Sequence, residues 1–444
     1  MNDRKPFLER LALHRPELRG WAMYDWAISG LQTTIMVAVF PIFYIQVAGS
    51  AAGGTKASQW WAVSNGIAVA LVALLSPILG AIADFAAAKK KLLAFTTAIG
   101  VSAAAGMFFV GDGDLLAASI LFVIAIIGAS AALVFYDALL PHIAADDEID
   151  RVSSAAYAIG YLGGGVLLAI NLAVIQKPEW FGLAGANPTL PVRIAFASVA
   201  VWWTLFAIPL FRRVPEPPRQ LEEDEQLGEN PIRVAFGRLI ETFRALRGYK
   251  QAFLMLVAFL VYNDGISTVQ RMATAYGTEL GIGRDTLIAA ILIVQFVGIP
   301  ATFLFGSLAS LIGAKRSILA GLVVYLGVSV FAYTMKTAGD FYILAGLVGL
   351  VQGGTQALSR SLFATLIPRH KSGEFFGFYS VFSKFAGIFG PILFATVIGA
   401  TGSSRHAILS VTILFIIGGL LLTFVNVEEG TRNARAADSG THSV

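Results

Sequence analysis

The chain of 444 residues has no cysteine. That absence removes disulfides, thiolate nucleophiles and thiolate metal sites together. Charge is also scarce: 14% of residues are Asp, Glu, Lys or Arg, against roughly 25% in an average soluble domain. Histidine is rarer still. His14, His142, His370, His406 and His442 all fall near span ends, in loops or in tails, and no two have metal-ligand spacing on one helix. No P-loop pattern occurs, which argues against ATP-driven pumping by this chain. The sequence therefore supports no enzyme, no metal site and no cofactor. A net charge of +4 is too small for a nucleic-acid footprint, and no nucleic-acid partner is expected.

What fills the chain instead is apolar. Hydrophobic residues make up 56%, and the mean hydropathy is +0.72. Apolar runs recur along the whole chain, each long enough to cross ~30 Å of hydrocarbon. They do not alternate polar with apolar residues, as β-barrel strands do. The fold class is all-α membrane protein. Twelve transmembrane helices are expected at 20–47, 60–83, 92–111, 115–140, 153–175, 192–211, 250–271, 286–309, 316–335, 341–367, 374–399 and 406–425. With the N-terminus inside, inner loops and tails hold 23 lysines and arginines and outer loops hold 7. That excess puts both termini in the cytoplasm. Short loops and the missing cysteine fit a bacterial inner membrane.

The second half repeats the first. The turn from Gly80 through Ala88 to Lys89-Lys90 returns as Gly306, Ala314 and Lys315-Arg316, 226 residues later. Arg19-Gly20-Trp21 opens span 1 as Arg247-Gly248-Tyr249 opens span 7. Pro141, Gly160 and Gly163 match Pro368, Gly387 and Gly390. Six spans per half is an even number, so both copies insert the same way: two six-helix bundles related by a parallel internal repeat. The domains are then 1–211, a cytoplasmic linker at 212–249, 250–427, and a disordered polar tail at 428–444. The linker begins Pro-rich and acidic. It continues with Ile232, Phe236, Leu239, Ile240, Phe243 and Leu246 on one helical face, an amphipathic helix for the inner membrane surface.

Ionisable side chains inside hydrocarbon are expensive and should face a cavity or a partner. Past their first two residues, spans 3, 6, 9 and 12 have none. Asp25 lies in span 1, Asp137 in span 4, Asp264 and Arg271 in span 7, Arg360 in span 10 and Lys384 in span 11. Polar residues form stripes at helical spacing: Asp25, Ser29 and Gln32; Asn263, Asp264, Thr268 and Arg271; Gln352, Gln356 and Arg360. Each single residue also reads as interhelical glue. Together they read as a substrate pathway. A zwitterion needs an acceptor and a donor, which Asp264 with Arg271 or Arg360 supplies. Asp25 and Arg360 either meet across an inner gate or pair within their own halves. Lys384 faces the pathway or an inner acidic partner. Asp84, with Gly80 and the basic turn Lys89-Lys90, ties helix ends in one state of the cycle, and Asp137 is its half-mate or a gate residue. A coupling proton would need a buried carboxylate, and Asp25, Asp137 and Asp264 are the candidates.

The Gly80-x3-Asp84 turn with Lys89-Lys90 resembles the cytoplasmic signature of the major facilitator superfamily. It departs at Phe85, where a basic residue is usual, and at Ala87, where glycine is usual. The second copy keeps Gly313 but has Ser310 for the acid. Gly20-Trp21-Ala22-Met23-Tyr24-Asp25-Trp26-Ala27 and Gln352-Gly353-Gly354-Thr355-Gln356-Ala357-Leu358-Ser359-Arg360 resemble bacterial relatives of the yeast vacuolar amino-acid effluxer. The resemblance implies that spans 1, 4, 7 and 10 line the path and that spans 3, 6, 9 and 12 face lipid. It implies secondary transport of a small molecule by alternating access, by a monomer, with amino-acid efflux as the candidate. The alternatives are a peptide, sugar or organic-cation transporter, or a non-transporting scaffold or sensor.

Overall fold

The computed structural model describes residues 7–183, 185, 187–218, 220–221, 249–280, 282, 284–439 and 442–443. The amphipathic helix expected at 232–246 lies outside the described residues. Eleven stretches are long and apolar enough to cross a membrane singly. The twelfth is a bent pair, Pro16–Ala38 with Phe40–Ala48, angled by 40°. We number the spans α1 (Pro16–Gly30, extended to Ala48), α2 (Gly54–Phe85), α3 (Lys89–Gly106), α4 (Leu115–Ile143), α5 (Ile149–Gln176) and α6 (Leu190–Arg213). The second half holds α7 (Lys250–Glu279), α8 (Arg284–Ile312), α9 (Ala314–Thr334), α10 (Ala338–Thr365), α11 (Ser372–Phe385 with Phe389–Thr401) and α12 (Ser404–Ser410 with Thr412–Thr423). A further helix, α13 (Val427–Ser439), follows. It lies within the stretch where the sequence suggests a polar tail.

The internal repeat is visible in which helices touch. In the first half α1 packs on α5 and α6, α4 on α2 and α3, and α3 on α6. In the second half α7 packs on α11 and α12, α10 on α8 and α9, and α9 on α12. Adding six to each number of the first set gives the second. The halves join in the same way: α2 meets α11 as α8 meets α5, and α4 meets α11 as α10 meets α5. Two bundles with a twofold axis along the membrane normal produce such a pattern.

Lipid, not water, surrounds the outside. Leu74, Phe95, Leu304, Val323, Leu420 and Phe424 are exposed, which in a membrane costs nothing. α4, α7 and α10 are the most enclosed spans, as expected of a central set. The least enclosed are α11 and α8, not only the third and sixth spans of each half.

Small residues set the closest approaches. A Cβ at Gly80 of α2 would collide with the Gly373 carbonyl of α11, and one at Gly373 would press on the Gly80 carbonyl at 2.6 Å. Bare backbone therefore meets bare backbone where the two halves join, a geometry that small residues permit. The first and last described helical segments lie on this same face, here called the terminal face. Arg15 pairs with Glu148, and Arg435 with Asp146, both in the loop between α4 and α5.

Candidate functional site

Arg360 on α10 organises the centre of the terminal face. Its side chain is almost fully buried, and three elements of the other half satisfy it. From α1, Asp25 Oδ2 accepts from both terminal guanidinium nitrogens at 3.3 Å. From α4, Asp137 Oδ1 accepts from one of them at 3.2 Å. From α5, Ser153 accepts twice, through its hydroxyl at 2.9 Å and its carbonyl at 3.1 Å. Arginine's planar fork is suited to such divided pairing. The guanidinium carbon also lies 4.8 Å from the Trp21 ring centre and 4.4 Å from that of Tyr157, within cation–π range.

The shell around the ion cluster is itself fixed. Tyr136 donates its hydroxyl hydrogen to Asp25 Oδ2 at 2.9 Å. Trp21 stacks on Tyr136 with ring centres 4.4 Å apart and donates its indole N–H to the Tyr136 carbonyl. Ser153 donates to the Ala357 carbonyl, one turn before Arg360. The sequence reading left open whether Asp25 and Arg360 meet. They do, across the two halves, and Asp137 joins them rather than Asp84. Tyr136, Ser153 and Tyr157 were missed. The available signals were that Tyr136 precedes Asp137 and that Tyr157 and Tyr161 are one turn apart on α5.

One turn and two turns along α10 from Arg360, the stripe continues. Gln352 lies beside Tyr161 of α5, whose ring lies against Gly353 and Gly298. Gln356 is half-buried between them in sequence. In α7, Tyr262 hydrogen-bonds Ser359 at 2.6 Å. Phe259, Phe363 and Tyr379 stack beside it, Tyr379 centred 4.5 Å from Phe259 and 5.2 Å from Phe363.

The α7 stripe has a different place from the one expected. Asp264 accepts from the Gly387 N–H at 2.5 Å and the Gly390 N–H at 2.9 Å. These amides flank the interruption in α11, where Gly387 has φ 104°. A broken helix exposes N–H groups with no partner in their own chain segment, and the carboxylate satisfies them. Thr268 packs on Gly390, and its hydroxyl donates to the Asp264 carbonyl. Lys384 is half-buried in the last turn before the interruption. Asn263 is buried, and its Oδ1 has no hydrogen-bond partner among the described residues. Arg271 lies on α7, but its side chain is outside the described residues. In α1, Ser29 faces Gly160 and Gly164 of its own half, and Gln32 is exposed. These two do not join the Arg360 cluster.

Asp84 ends α2 and caps α11 across the halves. It accepts from the Gly373 N–H at 3.1 Å and the Glu374 N–H at 2.9 Å, and Lys89 pairs with it at 2.5 Å. A carboxylate is favoured at a helix N-terminus by its free N–H groups and dipole. The Lys90 N–H donates to Glu216, at the start of the linker. Ala87 stands in the left-handed region at φ 45°, which explains why the related signature prefers glycine there.

Comparison with known proteins agrees with this architecture. Residues 55–435 match the family model "Vacuole effluxer Atg22 like". A Bacillus subtilis (strain 168) protein, described as the uncharacterized MFS-type transporter YxiO, is 37% identical over 418 residues, covering 93% of this chain and 95% of that one. Autophagy-related protein 22 of Yarrowia lipolytica is 28% identical over 314 residues, 64% of this chain and 51% of that one. The chain thus spans about half the length of the fungal relatives it matches. Among solved structures, the human organic anion transporter MFSD10 superposes with a TM-score of 0.68 at 11% identity, covering 94% of this chain and all of the other. The proton:xylose symporter XylE gives 0.68 at 14% identity, covering 97% and 99%. At such identity they establish the fold alone. With the family model running from α2 into α13 and a full-length transporter relative beside it, this multi-pass membrane protein belongs to the Atg22-like vacuole effluxer family, a group of transporters built on the major facilitator fold.

Proposed function

We propose that this chain is a secondary transporter that exports amino acids from a bacterial cytoplasm by alternating access, as a monomer in the inner membrane with both termini inside. The observation that carries the proposal is the Asp25–Arg360–Asp137 cluster. It pairs two carboxylates with one guanidinium across the seam between the halves. Opening the terminal face separates α10 from α1 and α4 and leaves both charge types without partners. A zwitterion entering there replaces the lost pairing: its carboxylate takes Arg360, and its ammonium takes Asp25 or Asp137. Thus the residues that close the face are those that meet the solute when it opens. Asp264, first considered for the ammonium, is engaged with the α11 amides. Two carboxylates on one guanidinium also leave one negative charge over, and a proton is its simplest counter-ion. That excess supports proton coupling.

Counterflow in proteoliposomes tests the reading. Vesicles preloaded with one amino acid should accumulate its labelled form, and Arg360→Lys should reduce the rate at least tenfold, because lysine cannot reproduce the divided pairing. Counterflow of a sugar or an organic cation, with no response to any amino acid, would replace amino acids by that solute class.

A further inference from the structure

The polar segment after α12 plays no part in the pathway, yet it is among the most heavily bonded pieces of the terminal face. Its root is tied to the second half. Gln251 of α7 accepts from the Asn426 N–H at 2.8 Å and donates to Glu429 at 2.9 Å. Gly430 lies flat on Leu366 and Gln251, so α13 sits flush on the loop that ends α10. Its last turn reaches the loop between α10 and α11. Asp438 accepts from the Arg369 N–H at 2.7 Å and pairs with His370 Nδ1 at 3.0 Å. Arg435, one turn earlier, crosses to the other half. It holds both carboxylate oxygens of Asp146, at 2.8 and 3.1 Å. Arg369 donates to the same carboxylate at 3.1 Å.

Asp146 sits in the loop between α4 and α5 of the first half. Two arginines of the second half therefore converge on it from two separate elements, and both contacts exist only while the terminal face is shut. We propose that α13 is an intramolecular latch that holds this face closed and sets the resting balance between the two states. The proposal rests on the alternating-access reading above. The bridge across the halves is built from partly exposed charges, each pair worth little alone. That suits a contact that must break in every cycle. Its position also lets the last residues of the chain act on the ion cluster at the seam without touching it, because both report on the same separation of halves.

The absence of cysteine makes the test direct. Spin labels at Lys91→Cys and Arg316→Cys, both exposed and in repeat-related turns of the two halves, report the opening of the terminal face as a lengthened distance. The native chain should give mainly the short distance. Arg435→Ala, and separately deletion of residues 427–444, should raise the long-distance population about threefold to fivefold, the worth of one or two such pairs. Asp25→Asn, which breaks the central cluster, serves as the control for opening. If Asp25→Asn raises the long-distance population while Arg435→Ala and the deletion do not, the latch is refuted and alternating access stands. If no variant lengthens the distance, alternating access falls and the latch with it.

Discussion

Removal of Arg360 is the sharpest perturbation this molecule offers. Arg360→Met keeps an unbranched apolar stem and deletes the charge. It strands Asp25, which is buried, and Asp137, which is half-buried, and leaves Ser153 without its donor. Breaking a buried ion pair by removing one partner costs about 3–5 kcal/mol, because the survivor is left uncompensated. Here two survivors repel each other, so the upper half of that range applies. Asp25→Asn alone should cost less, about 1–3 kcal/mol, since Asp137 and Ser153 still hold Arg360. The double variant should recover about 1–2 kcal/mol relative to the sum of the singles, because neutralising Asp25 removes one stranded charge. Thermal unfolding of the purified protein in one detergent, for the four members of the cycle, measures this coupling. Additivity within about 0.5 kcal/mol would refute the argument that these charges stabilise each other across the halves.

Three other outcomes follow from local geometry. Ala87→Gly should raise stability by about 0.5–1 kcal/mol, because glycine adopts the left-handed conformation without the Cβ clash, and a higher midpoint in thermal unfolding checks it. Asp264→Asn keeps the shape but weakens two charge-assisted bonds to the α11 amides. It should cost about 1–2 kcal/mol and speed hydrogen exchange at Gly387 and Gly390 ahead of the rest of α11. Acid should release α13. Burial alone would raise Asp438 and Asp146, but hydrogen bonds from His370 and the Arg369 N–H to the first, and from Arg435 and Arg369 to the second, hold both below their ordinary values. A lowered carboxylate contributes stability above its unfolded value of roughly 3.9 and loses it as pH falls through the folded one. Hydrogen exchange along 427–439 should therefore stay slow at neutral pH and accelerate only below about pH 4.

Much of this molecule is legible in the sequence because lipid leaves few choices. A backbone inside hydrocarbon must satisfy its own hydrogen bonds, so apolar runs become helices, and the spans match the structure closely. The repeat was readable because turns carry distinct residues: Gly80 with Lys89-Lys90 against Gly306 with Lys315-Arg316. Rarity of charge made Asp25, Asp137 and Arg360 conspicuous, and they meet. Partner identity was a different matter. Asp264 is as rare and as buried as Asp25, and no local pattern distinguishes a carboxylate facing a guanidinium from one facing two backbone amides. Tyr136 and Tyr157 were passed over because an aromatic ring is at home in an apolar span whether or not it covers a cation. The α13 segment has few apolar residues, so its order comes from Asp146 and His370, which lie far away in sequence.

The interruption in α11 shows how one substitution can divide two copies of the same unit. Gly160 and Gly163 in α5 occupy the repeat positions of Gly387 and Gly390 in α11. The first pair packs on Asp25, Ser29 and Trp26 of α1; of the second, Gly390 packs on Thr268 and Asp264 of α7, and Gly387 bonds to Asp264. Both helices thus have the glycines and the close neighbour, yet α5 runs unbroken from Ile149 to Gln176 while α11 stops at Phe385 and restarts at Phe389. Glycine permits a break but does not provide for the amides it exposes, and an orphan amide in hydrocarbon costs several kcal/mol. An acceptor must stand opposite. At the repeat offset of 226 to 228 residues, Asp264 corresponds to Met36, Val37 or Ala38, none of which accepts a hydrogen bond through its side chain. In the first half the acid beside Gly160, Asp25, is taken by Arg360 and Tyr136, and the helix stays whole. The acid that sequence reasoning assigned to the solute is what allows the second half to differ from the first.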